Sequence, residues 1–453
     1  MSKEVVLIFD IGKTNKKILL FDRGLRIQHE EEVVFEEIRD DDGFACDDIE
    51  RLESWILEGC RKFLADERFD VCGINFTTYG ATLMYIDGEG KRLTPVYNYL
   101  KPLPEGIAEE LYEAFGGKAE FCRNTASPSL GMLNSGLQAR WLQKKKPEIY
   151  SKVKTILHFP QYLSHLLTGK SSSEHTSVGC HTGLWNFDKM IYHPWTDELG
   201  HTLPDPVSVE TTFPSKLFRN EIPVGIGIHD SSSSLVPYFI NSDEEFILAS
   251  TGTWCINMNP FNAEPLSTEQ LRQDCLAYMS IQQKPVKSSR FFIGHIHDVN
   301  LKRLNQLFGA EDSAYKKVAL DENIIESLHM KSGGRKVFFN GGVPEDHLDN
   351  TVNKETFDSF EEAYHQLMID LTELTVASIN LIIGKEDRTK NIYISGGFAK
   401  NPIFLKLMAD SFPGKKVYTS EVANATSMGA ALVLWKGLDT GFKADIDLGL
   451  KKT

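Results

Sequence analysis

The sequence lacks the features that mark several large classes of protein. No uninterrupted apolar run is long enough to span a bilayer, and no secretory h-region follows the first residues. The formal net charge of −14 at pH 7 argues against the concentrated basic surface that nucleic acid requires. We therefore expect no nucleic-acid partner, no membrane contact and a cytoplasmic location.

Cysteine is also scarce, with seven residues scattered along 453 positions. Their number is odd and none of them forms a CxxC pair, so neither a zinc knuckle nor a disulfide framework is predicted. The composition, 41% hydrophobic and 25% charged, is that of an ordinary globular protein. The length suits two domains of roughly 200 residues each.

A polar turn between two apolar strands stands near the start of the chain, in the segment from Val5 to Asp22. The turn glycine can adopt a positive φ, which lets backbone N–H groups point outward, and its neighbours add donors and positive charge. Asp10, at the end of the first strand, suits Mg²⁺ held partly through water. The alternative is an ordinary hairpin with a solvated turn, because the GxxxxGK[ST] spacing of a P-loop is absent. The turn residues that would meet a phosphate are Gly12, Lys13, Thr14 and Asn15.

A second hairpin of the same design lies far along the chain, from Phe246 to Met258. Its turn positions are taken by Thr251, Gly252 and Thr253. Two such hairpins suggest two similar domains, each presenting a phosphate-binding turn to a shared cleft, although their sequences are too diverged to identify a repeat. Phosphoryl transfer is therefore the leading hypothesis.

Strand and helix signals alternate along the chain and predict an α/β fold. A short polar, acidic stretch from Asn241 to Glu245 places the domain boundary between residues 240 and 241. The predicted elements are a helix from Asp48, a strand from Val71 to Phe76, helices over Met132 to Gln143 and Pro160 to Gly169, a mixture of helix and loop over Ser267 to Pro285, mostly helix over Ser288 to Ser332, a long helix over Thr356 to Leu381 and a closing helix over Ala425 to Trp435.

Three further positions could carry chemistry. The segment from Pro223 to Leu235 predicts an apolar strand that runs into a small, polar turn, with Asp230 at the strand end. Asp230 could accept a proton from a hydroxyl group or cap the next element, and the pattern alone favours the cap. Gly396-Gly397 follow a predicted strand, and Asn401 before Pro402 predicts the start of a helix.

Five segments in order, DIGKTNKKILLFD, PVGIGIHDSSSS, STGTWC, ISGGFAKNPIFLKLMAD and NATSMGAAL, resemble the FGGY carbohydrate kinases of the actin/hexokinase ATPase superfamily. The correspondence runs from Asp10 to about Trp435. It implies two ribonuclease-H-like domains around a central cleft, with sugar and the catalytic base on residues 1–240 and ATP mainly on residues 241–453. ATP and Mg²⁺ are the implied cofactors, a sugar is the implied small-molecule partner, and a homodimer is compatible with the family.

The resemblance also implies roles for individual residues. Asp230 matches the general base and Asp10 matches the acid that associates with Mg²⁺. Lys13 stands where many relatives have Thr, so it could contact phosphate or face solvent, and Asn401 could contact adenine or only cap its helix. The implied nucleotide-binding residues are Gly12, Lys13, Thr14, Asn15, Thr251, Gly252, Thr253, Gly396, Gly397 and Asn401.

The substrate branch follows from a smaller set of residues. His229 beside Asp230, and Trp254 after the second turn, resemble the L-rhamnulose and L-fuculose kinases. This implies phosphorylation of a 6-deoxyketohexose at O1, with L-rhamnulose first and L-fuculose second. The implied sugar contacts are Thr78, Tyr79, Gly80, His229 and Asp230. His229 could instead be a core residue that orients Asp230, and Tyr79 could serve packing alone.

Departures from the branch keep other substrates open. Thr82 stands where the branch usually has Asp, and Asn98, Tyr99 and Lys101 stand where family members often have Asp and Arg. A pentulose such as L-ribulose or D-xylulose is therefore an alternative. From another class, a non-catalytic sugar-sensing protein is an alternative that the presence of both Asp10 and Asp230 disfavours. An acetate kinase or chaperone of the same superfamily fits less well, because no peptide-binding β domain is evident.

Overall fold

A computed structural model describes residues 2–218, 221–333 and 335–453. It shows an α/β protein with two sheet-containing domains, as the alternation of strands and helices predicts. The strands of the described residues are Lys3–Ile11 (β1), Asn15–Asp22 (β2), Ile27–Val34 (β3), Ile38–Arg39 (β4), Ala45–Cys46 (β5), Phe69–Thr78 (β6), Leu83–Ile86 (β7), Thr155–His158 (β8), Ser173–Glu174 (β9), Trp185–Asn186 (β10), Ile191–Tyr192 (β11), Pro206–Val207 (β12), Thr212–Pro214 (β13), Pro223–Gly225 (β14), Ile228–His229 (β15), Phe246–Thr251 (β16), Cys255–Asn259 (β17), Cys275–Met279 (β18), Pro285–Phe291 (β19), Asn391–Gly396 (β20), Lys416–Thr419 (β21) and Lys451–Lys452 (β22).

Helices flank both sheets. The α-helices of the described residues are Ile49–Leu64 (α1), Ile107–Ala114 (α2), Lys118–Asn124 (α3), Ser135–Lys145 (α4), Pro147–Tyr150 (α5), Phe159–Thr168 (α6), His175–Val178 (α7), Asp230–Asn241 (α8), Thr268–Arg272 (α9), Ile293–Phe308 (α10), Glu322–Ser332 (α11), Phe360–Asn380 (α12), Pro402–Ser411 (α13) and Ala425–Leu438 (α14). None of these helices combines the length and apolar character needed to cross a membrane.

The first sheet has the strand order β13-β14-β6-β1-β2-β3, with β15 also paired to β6. β1 and β2 form an antiparallel hairpin, and β6 lies parallel to β1 on its other side. β1 is central because Val5 to Phe9 are all fully buried, so both faces of the strand are covered. β15 ends beside Thr78, which brings the carboxyl ends of β1, β6 and β15 to one edge of the sheet.

The second sheet repeats the central part of this plan. Its order is β18-β19-β17-β16-β20-β21-β22. β16 and β17 form an antiparallel hairpin, and β20 pairs in parallel with β16. The predicted correspondence between the two hairpins therefore extends to their positions in the sheets. In each case the turn lies at the carboxyl edge of a central strand.

Two helices lie between the sheets and join their cores. α8 and α14 share one hydrophobic cluster with one face of each sheet. The Asn75 amide of β6 donates to the Ala430 carbonyl of α14 at 3.0 Å, and Ser233 Oγ of α8 donates to the Thr426 carbonyl at 2.7 Å. A helix from the end of the chain thus packs on the sheet formed by its beginning. The other faces of the sheets are covered separately, by α1 and α6 on one side and by α10, α12 and α13 on the other.

Several element predictions need correction. The polar residues after His229 form the first turn of α8 instead of a turn between elements. The segment predicted as helix and loop contains β18, whose five residues are all buried, so no helical period could appear in its sequence. The segment predicted as mostly helix begins with the end of β19 and then continues as α10 and α11.

Two helices begin later than the sequence predicts. A short 3-10 segment at Gly131–Leu133 precedes α4, which begins at Ser135 instead of Met132. α12 begins at Phe360 instead of Thr356, because the Ser359 side chain accepts a hydrogen bond from the Glu362 N–H and caps the helix there. By contrast, Gly169 ends α6 in the left-handed conformation as predicted.

The packing of α14 on α8 leads to a test of stability. A Cβ at Gly429 would lie 2.0 Å from the Ser233 carbonyl oxygen, so Gly429→Ala must push the two helices apart. We expect the free energy of unfolding to fall by about 1–3 kcal/mol, the usual cost of overpacking a core. Chemical denaturation monitored by circular dichroism would measure it. Gly414→Ala is the control and should change little, because a Cβ added at Gly414 would meet no atom within 4 Å. Equal stability of the two variants would contradict this view of the interface.

Candidate active site

The first turn is closed by its glycine. The Gly12 N–H donates to the Asn15 carbonyl at 2.9 Å, and a Cβ at Gly12 would lie 2.9 Å from that oxygen. Glycine is therefore required by this close approach, and Gly12 is not among the residues with positive φ, contrary to the expectation from sequence. Thr14 and Asn15 are exposed, which leaves their polar groups accessible to a ligand.

The second turn has the same closure. The Gly252 N–H donates to the Trp254 carbonyl at 2.8 Å. Thr251 is buried, and its hydroxyl donates to the Ser395 carbonyl at 2.5 Å and accepts from the Phe398 N–H at 3.2 Å. Thr251 thus joins the second turn to the segment after β20, while Gly252 and Thr253 face the adjoining cavity.

The glycine pair after β20 fits tightly against β16. Gly396 has a φ of +88°, and a Cβ there would lie 1.8 Å from the Thr251 carbonyl oxygen. The Gly397 N–H donates to the same oxygen at 2.6 Å. Glycine is therefore required at Gly396, whereas a Cβ at Gly397 would lie 3.9 Å from that oxygen and would fit. Gly397 also lines the cavity beside the second turn.

A cavity of about 640 Å³ opens between the second turn, α10, α12 and α13. Its volume is within the range of small-molecule sites. The residues predicted from sequence that line it are Gly252, Thr253, Gly397 and Asn401. The sequence missed its aromatic and basic wall, which consists of His295, His297, Tyr315, Lys316, Tyr364, Phe398 and Lys400. These residues come from four separate segments, so no local motif could have marked them.

Asn401 caps α13 and also borders the cavity. Its Oδ1 accepts hydrogen bonds from the N–H groups of Ile403 and Phe404 at 3.0 and 3.1 Å. Its Nδ2 donates to the Tyr364 hydroxyl at 2.9 Å. The capping role left open by the sequence is thereby present, and the amide also reaches the wall of the cavity.

Asp230 is the first residue of α8 and directly follows β15. Its Oδ1 accepts from the Ser231 N–H at 2.5 Å and lies 3.1 Å from His229 Nε2. Burial raises the pKa of Asp230 to about 6, although the hydrogen bonds from Ser231 oppose this. A carboxylate with a pKa near neutrality can take up and release a proton under physiological conditions.

Asp10 at the end of β1 is a second carboxylate with a raised pKa. Burial raises the pKa of Asp10 to about 6, a hydrogen bond from Ser427 of α14 lowers it, and the negative charge of Asp230 raises it further. The charge of this carboxylate is therefore only partly compensated by protein groups. Oxygen ligands of this kind suit a divalent cation such as Mg²⁺, whose charge would offset theirs. The residues present therefore fit a metal at this position.

His229 is buried and its ring is held on several sides. Its Nε2 lies 3.1 Å from Cys180 Sγ as well as 3.1 Å from Asp230, and its ring stacks on Tyr278 of β18 at a centroid distance of 5.8 Å. Burial lowers the pKa of His229 to about 3, so the ring is neutral at physiological pH. A Cβ at Gly80 would lie 3.0 Å from this ring, so Gly80 makes room for it. The ring hydrogen-bonds Cys180 Sγ and Ser232 Oγ and packs beside the Asp230 carboxylate.

The other predicted sugar contacts are engaged within the protein. Thr78 is fully buried and its hydroxyl donates to the Tyr79 carbonyl at 2.9 Å. The Tyr79 hydroxyl donates to Asp47 at 2.7 Å, and its ring borders a small enclosed space with Gly80 and His229. The Lys13 ammonium forms ion pairs with Asp47 at 2.7 Å and with Glu37 at 2.9 Å. It is therefore neither simply solvated nor without partners in the protein.

The residues that depart from the family pattern make contacts within the protein. The Asn98 amide donates to the Ala45 carbonyl at 3.0 Å, and Lys101 bonds the carboxylates of Asp40 and Asp42. These contacts hold the acidic loop before α1. Thr82 is buried, with its hydroxyl 3.3 Å from the Gly80 carbonyl. Tyr99 is half-buried beside the Tyr79 ring, at a centroid distance of 6.0 Å.

Comparison with solved structures shows the fold that this chain shares. A carbohydrate kinase from Novosphingobium aromaticivorans is similar with a TM-score of 0.80 and 22% identity, covering 100% of this chain and 94% of that one. A ligand-bound xylulose kinase from Lactobacillus acidophilus is similar with a TM-score of 0.74 and 15% identity, covering 99% and 93%. The predicted fold of two actin/hexokinase-type domains is thereby confirmed.

Sequence comparison identifies the family. A rhamnulokinase from Oceanobacillus iheyensis is 24% identical over 96% of this chain and 93% of its own, and one from Halalkalibacterium halodurans is 23% identical over 95% and 93%. The family model for the FGGY family of carbohydrate kinases, N-terminal domain, matches residues 5–201, and that for carbohydrate kinase FGGY, C-terminal domain, matches residues 243–441. The chain therefore belongs to the FGGY family of carbohydrate kinases.

Proposed function

We propose that this sugar kinase transfers the γ-phosphoryl group of ATP to the primary hydroxyl of a ketose, with Asp230 as the general base. The observation that carries the proposal is the partly exposed Asp230 carboxylate, which has a pKa of about 6 and begins the helix between the two sheets. The two glycine-closed turns and the neighbouring cavity offer donors and space for a nucleotide. Phosphoryl transfer depends mainly on positioning and charge stabilisation, which these groups can supply.

The proposed substrate is a 6-deoxyketohexose phosphorylated at O1, with L-rhamnulose first and L-fuculose second. The rhamnulokinases that align over nearly the whole chain support this order. A pentulose such as L-ribulose or D-xylulose is the alternative, supported by the similar fold of xylulose kinases. A non-catalytic sugar sensor is disfavoured, because the neighbouring Asp10 and Asp230 carboxylates serve no purpose in mere binding.

In the proposed mechanism, Asp230 accepts the proton of the sugar hydroxyl as that oxygen attacks phosphorus. Neutral His229 would pack beside this carboxylate, with its Nε2 3.1 Å from Asp230 Oδ1. Backbone N–H groups and the side chains of Thr14 and Asn15 in the first turn, together with Thr253 in the second, would contact the phosphates. Asp10 would hold Mg²⁺, which supplies compensation for the negative charge of the phosphoryl group.

We further propose that residues 1–240 bind the sugar and residues 241–453 bind most of the ATP. The placement of Asp230 and of the 640 Å³ cavity supports this division. One contact crosses this division, because the Ser427 hydroxyl of α14 donates a hydrogen bond to Asp10 of the first sheet. All seven cysteines are unpaired, which suits a cytoplasmic setting, and a homodimer is compatible with the family.

The role of Asp230 can be tested by Asp230→Asn. We expect kcat to fall by about 10²–10⁴-fold, the usual contribution of a general base, while ATP binding is kept. Coupled ADP release with L-rhamnulose, L-fuculose, L-ribulose and D-xylulose would measure turnover, and calorimetric titration with ATP would measure binding.

The same variant gives a control against misfolding. Because the folded protein raises the pKa of Asp230 from 3.8 to about 6, the ionised form is disfavoured by folding. Asp230→Asn should therefore raise the melting temperature at pH 8, and this gain should vanish below about pH 4, where the wild-type carboxyl is protonated in both states. If Asp230→Asn turned over substrate at the wild-type rate, Asp230 would not be the general base.

The pH dependence of the wild type supplies another test. The base must be ionised, so kcat/KM for the ketose should rise with pH through an apparent pKa of about 6 and level off above about pH 7. At pH 5 the value should be about tenfold below the plateau. The rate would be measured at constant ionic strength with direct detection of the sugar phosphate, which avoids pH effects on coupling enzymes. An acidic limb near pH 4 would show that the base is a carboxylate with an ordinary pKa.

A further inference from the structure

A partly buried ionic cluster lies near the first turn and takes no part in the proposed phosphoryl transfer. We call it the Asp47 cluster, and its members are Lys13, Lys16, Glu37, Asp47 and Tyr79. The Asp47 carboxylate, only 8% exposed, accepts from Lys13 at 2.7 Å, from Lys16 at 3.2 Å and from the Tyr79 hydroxyl at 2.7 Å. Burying several charges carries a desolvation cost, so such a cluster is weak as a source of stability. A functional role therefore accounts for this desolvation cost better than a contribution to folding stability does.

The Asp47 cluster is connected to the surroundings of Asp230 through Tyr79. Lys13 Nζ lies 5.8 Å from the centre of the Tyr79 ring, and that ring shares a small space with Gly80 and His229. The Tyr99 ring packs edge-on against Tyr79 at a centroid distance of 6.0 Å. Tyr79 therefore contacts Asp47 through its hydroxyl and borders, through its ring, the space next to His229, the neighbour of the proposed base.

The partners of Lys13 argue against a phosphate contact. Its ammonium already bonds two carboxylates, at 2.7 and 2.9 Å, and its remaining exposed fraction is 24%. A phosphate would bring further negative charge beside Glu37 and Asp47 and would compete with them for the same ammonium, which a neutral hydroxyl would not. Although Lys13 belongs to the first turn by sequence, its side chain is directed to the Asp47 cluster.

The charges of the Asp47 cluster indicate the chemistry of its ligand. Lys13 and Lys16 carry two positive charges, and Glu37 and Asp47 carry two negative ones, so the cluster is neutral overall. Its more exposed members, Lys13 and Glu37, place an ammonium donor and a carboxylate acceptor side by side above the buried Asp47. Alternating donors and acceptors with no net charge match the hydroxyl groups of a neutral sugar. A sugar acid would find no excess positive charge to bind its carboxylate.

We propose that Lys13 and Asp47, supported by Tyr79, form a specificity subsite that binds hydroxyl groups at the end of a neutral ketose remote from the phosphorylated hydroxyl. This inference rests on the proposed function, because it assumes that the acceptor lies between Asp230 and the Asp47 cluster. It assigns the lysine of the first turn to the sugar instead of to ATP.

The test compares Lys13→Met with the wild type in steady-state kinetics. We expect KM for the ketose to rise about ten- to a hundredfold, as for the loss of a charge-assisted hydrogen bond, with KM for ATP unchanged. Asp47→Asn should act in the same direction, and Lys13→Arg should restore part of the loss. The matched control is Lys146→Met, since Lys146 also bonds two carboxylates, Asp41 and Asp42, at an exposure of 12%.

A second experiment asks whether Lys13 senses hydroxyl groups directly. Ketose analogues that lack one hydroxyl at C4 or C5 should bind the wild type more weakly than the parent sugar. In Lys13→Met this penalty should shrink, because one partner of the interaction is already absent. Thermal shifts with the same sugars read binding without turnover. If no ketose is phosphorylated, the proposed function fails, and the thermal shifts still show whether Lys13 contributes to sugar binding.

Two outcomes would overturn the subsite. A rise in KM for ATP, with KM for the ketose unchanged, would make Lys13 a phosphate ligand. Unchanged values of both, with only a lower melting temperature, would make the Asp47 cluster purely structural. The double variant Lys13→Met/Asp47→Asn removes one charge of each sign, which keeps the site neutral if the single variants fold poorly.

Discussion

The contact between α8 and α14 is the constraint on which the rest of the structure depends. Gly429 allows the two helices to meet at the Ser233 carbonyl, between the two sheets. α8 begins at Asp230, and the first turn of α14 carries Ser427, which bonds Asp10. The packing of two core helices therefore fixes the positions of both carboxylates in the cleft. Close packing of this kind has few alternative arrangements, which suits a site that requires defined geometry.

Charge is distributed unevenly along the carboxyl edge of the first sheet. Burial raises the pKa of both Asp10 and Asp230 to about 6, and the charge of Asp230 adds to the rise at Asp10. At Asp47, the hydrogen bonds and positive charges of Lys13 and Lys16 outweigh burial and keep the pKa low. Carboxylates of the same chemistry thus differ because only Asp47 has close cationic partners. The proposed metal ligand and the proposed base are thus the two carboxylates without a lysine partner in hydrogen-bond contact, and the proposed sugar subsite contains the one that has two.

The sequence was sufficient to predict the parts of the site that depend on local backbone. The two hairpins, the glycine pair after β20 and the cap at Asn401 all follow from residues that are adjacent in the chain, because a turn or a cap is decided within a few positions. The α/β alternation likewise predicted the fold class, and the chain length and the two hairpins predicted two domains. The start of α8 was not evident, because four serines and an aspartate are typical of a turn and only packing against α14 makes them helical.

The sequence could not predict groups that meet only through tertiary structure. Asp47 lies 34 residues from Lys13, and nothing in its local pattern distinguishes it from the neighbouring Asp48, which caps α1. The aromatic wall of the cavity similarly combines residues from α10, α12 and the segments around Tyr315 and Phe398. Such groups require either the structure or a family resemblance. The resemblance assigned Lys13 to the first turn by its position, whereas the structure directs its side chain elsewhere.

Residues of the second sheet also contact the surroundings of the proposed base. His229 stacks on Tyr278, which belongs to the second sheet, and Ser232 Oγ donates to the Met279 carbonyl at 2.8 Å. The same strand approaches Gly179, where a Cβ would lie 2.6 Å from that of Met279. Since His229 and Ser232 flank Asp230 in the chain, a displacement of β18 would alter the position of the carboxylate. The position of the proposed base is thereby linked to the arrangement of the two domains, on which the proposed meeting of nucleotide and sugar also depends.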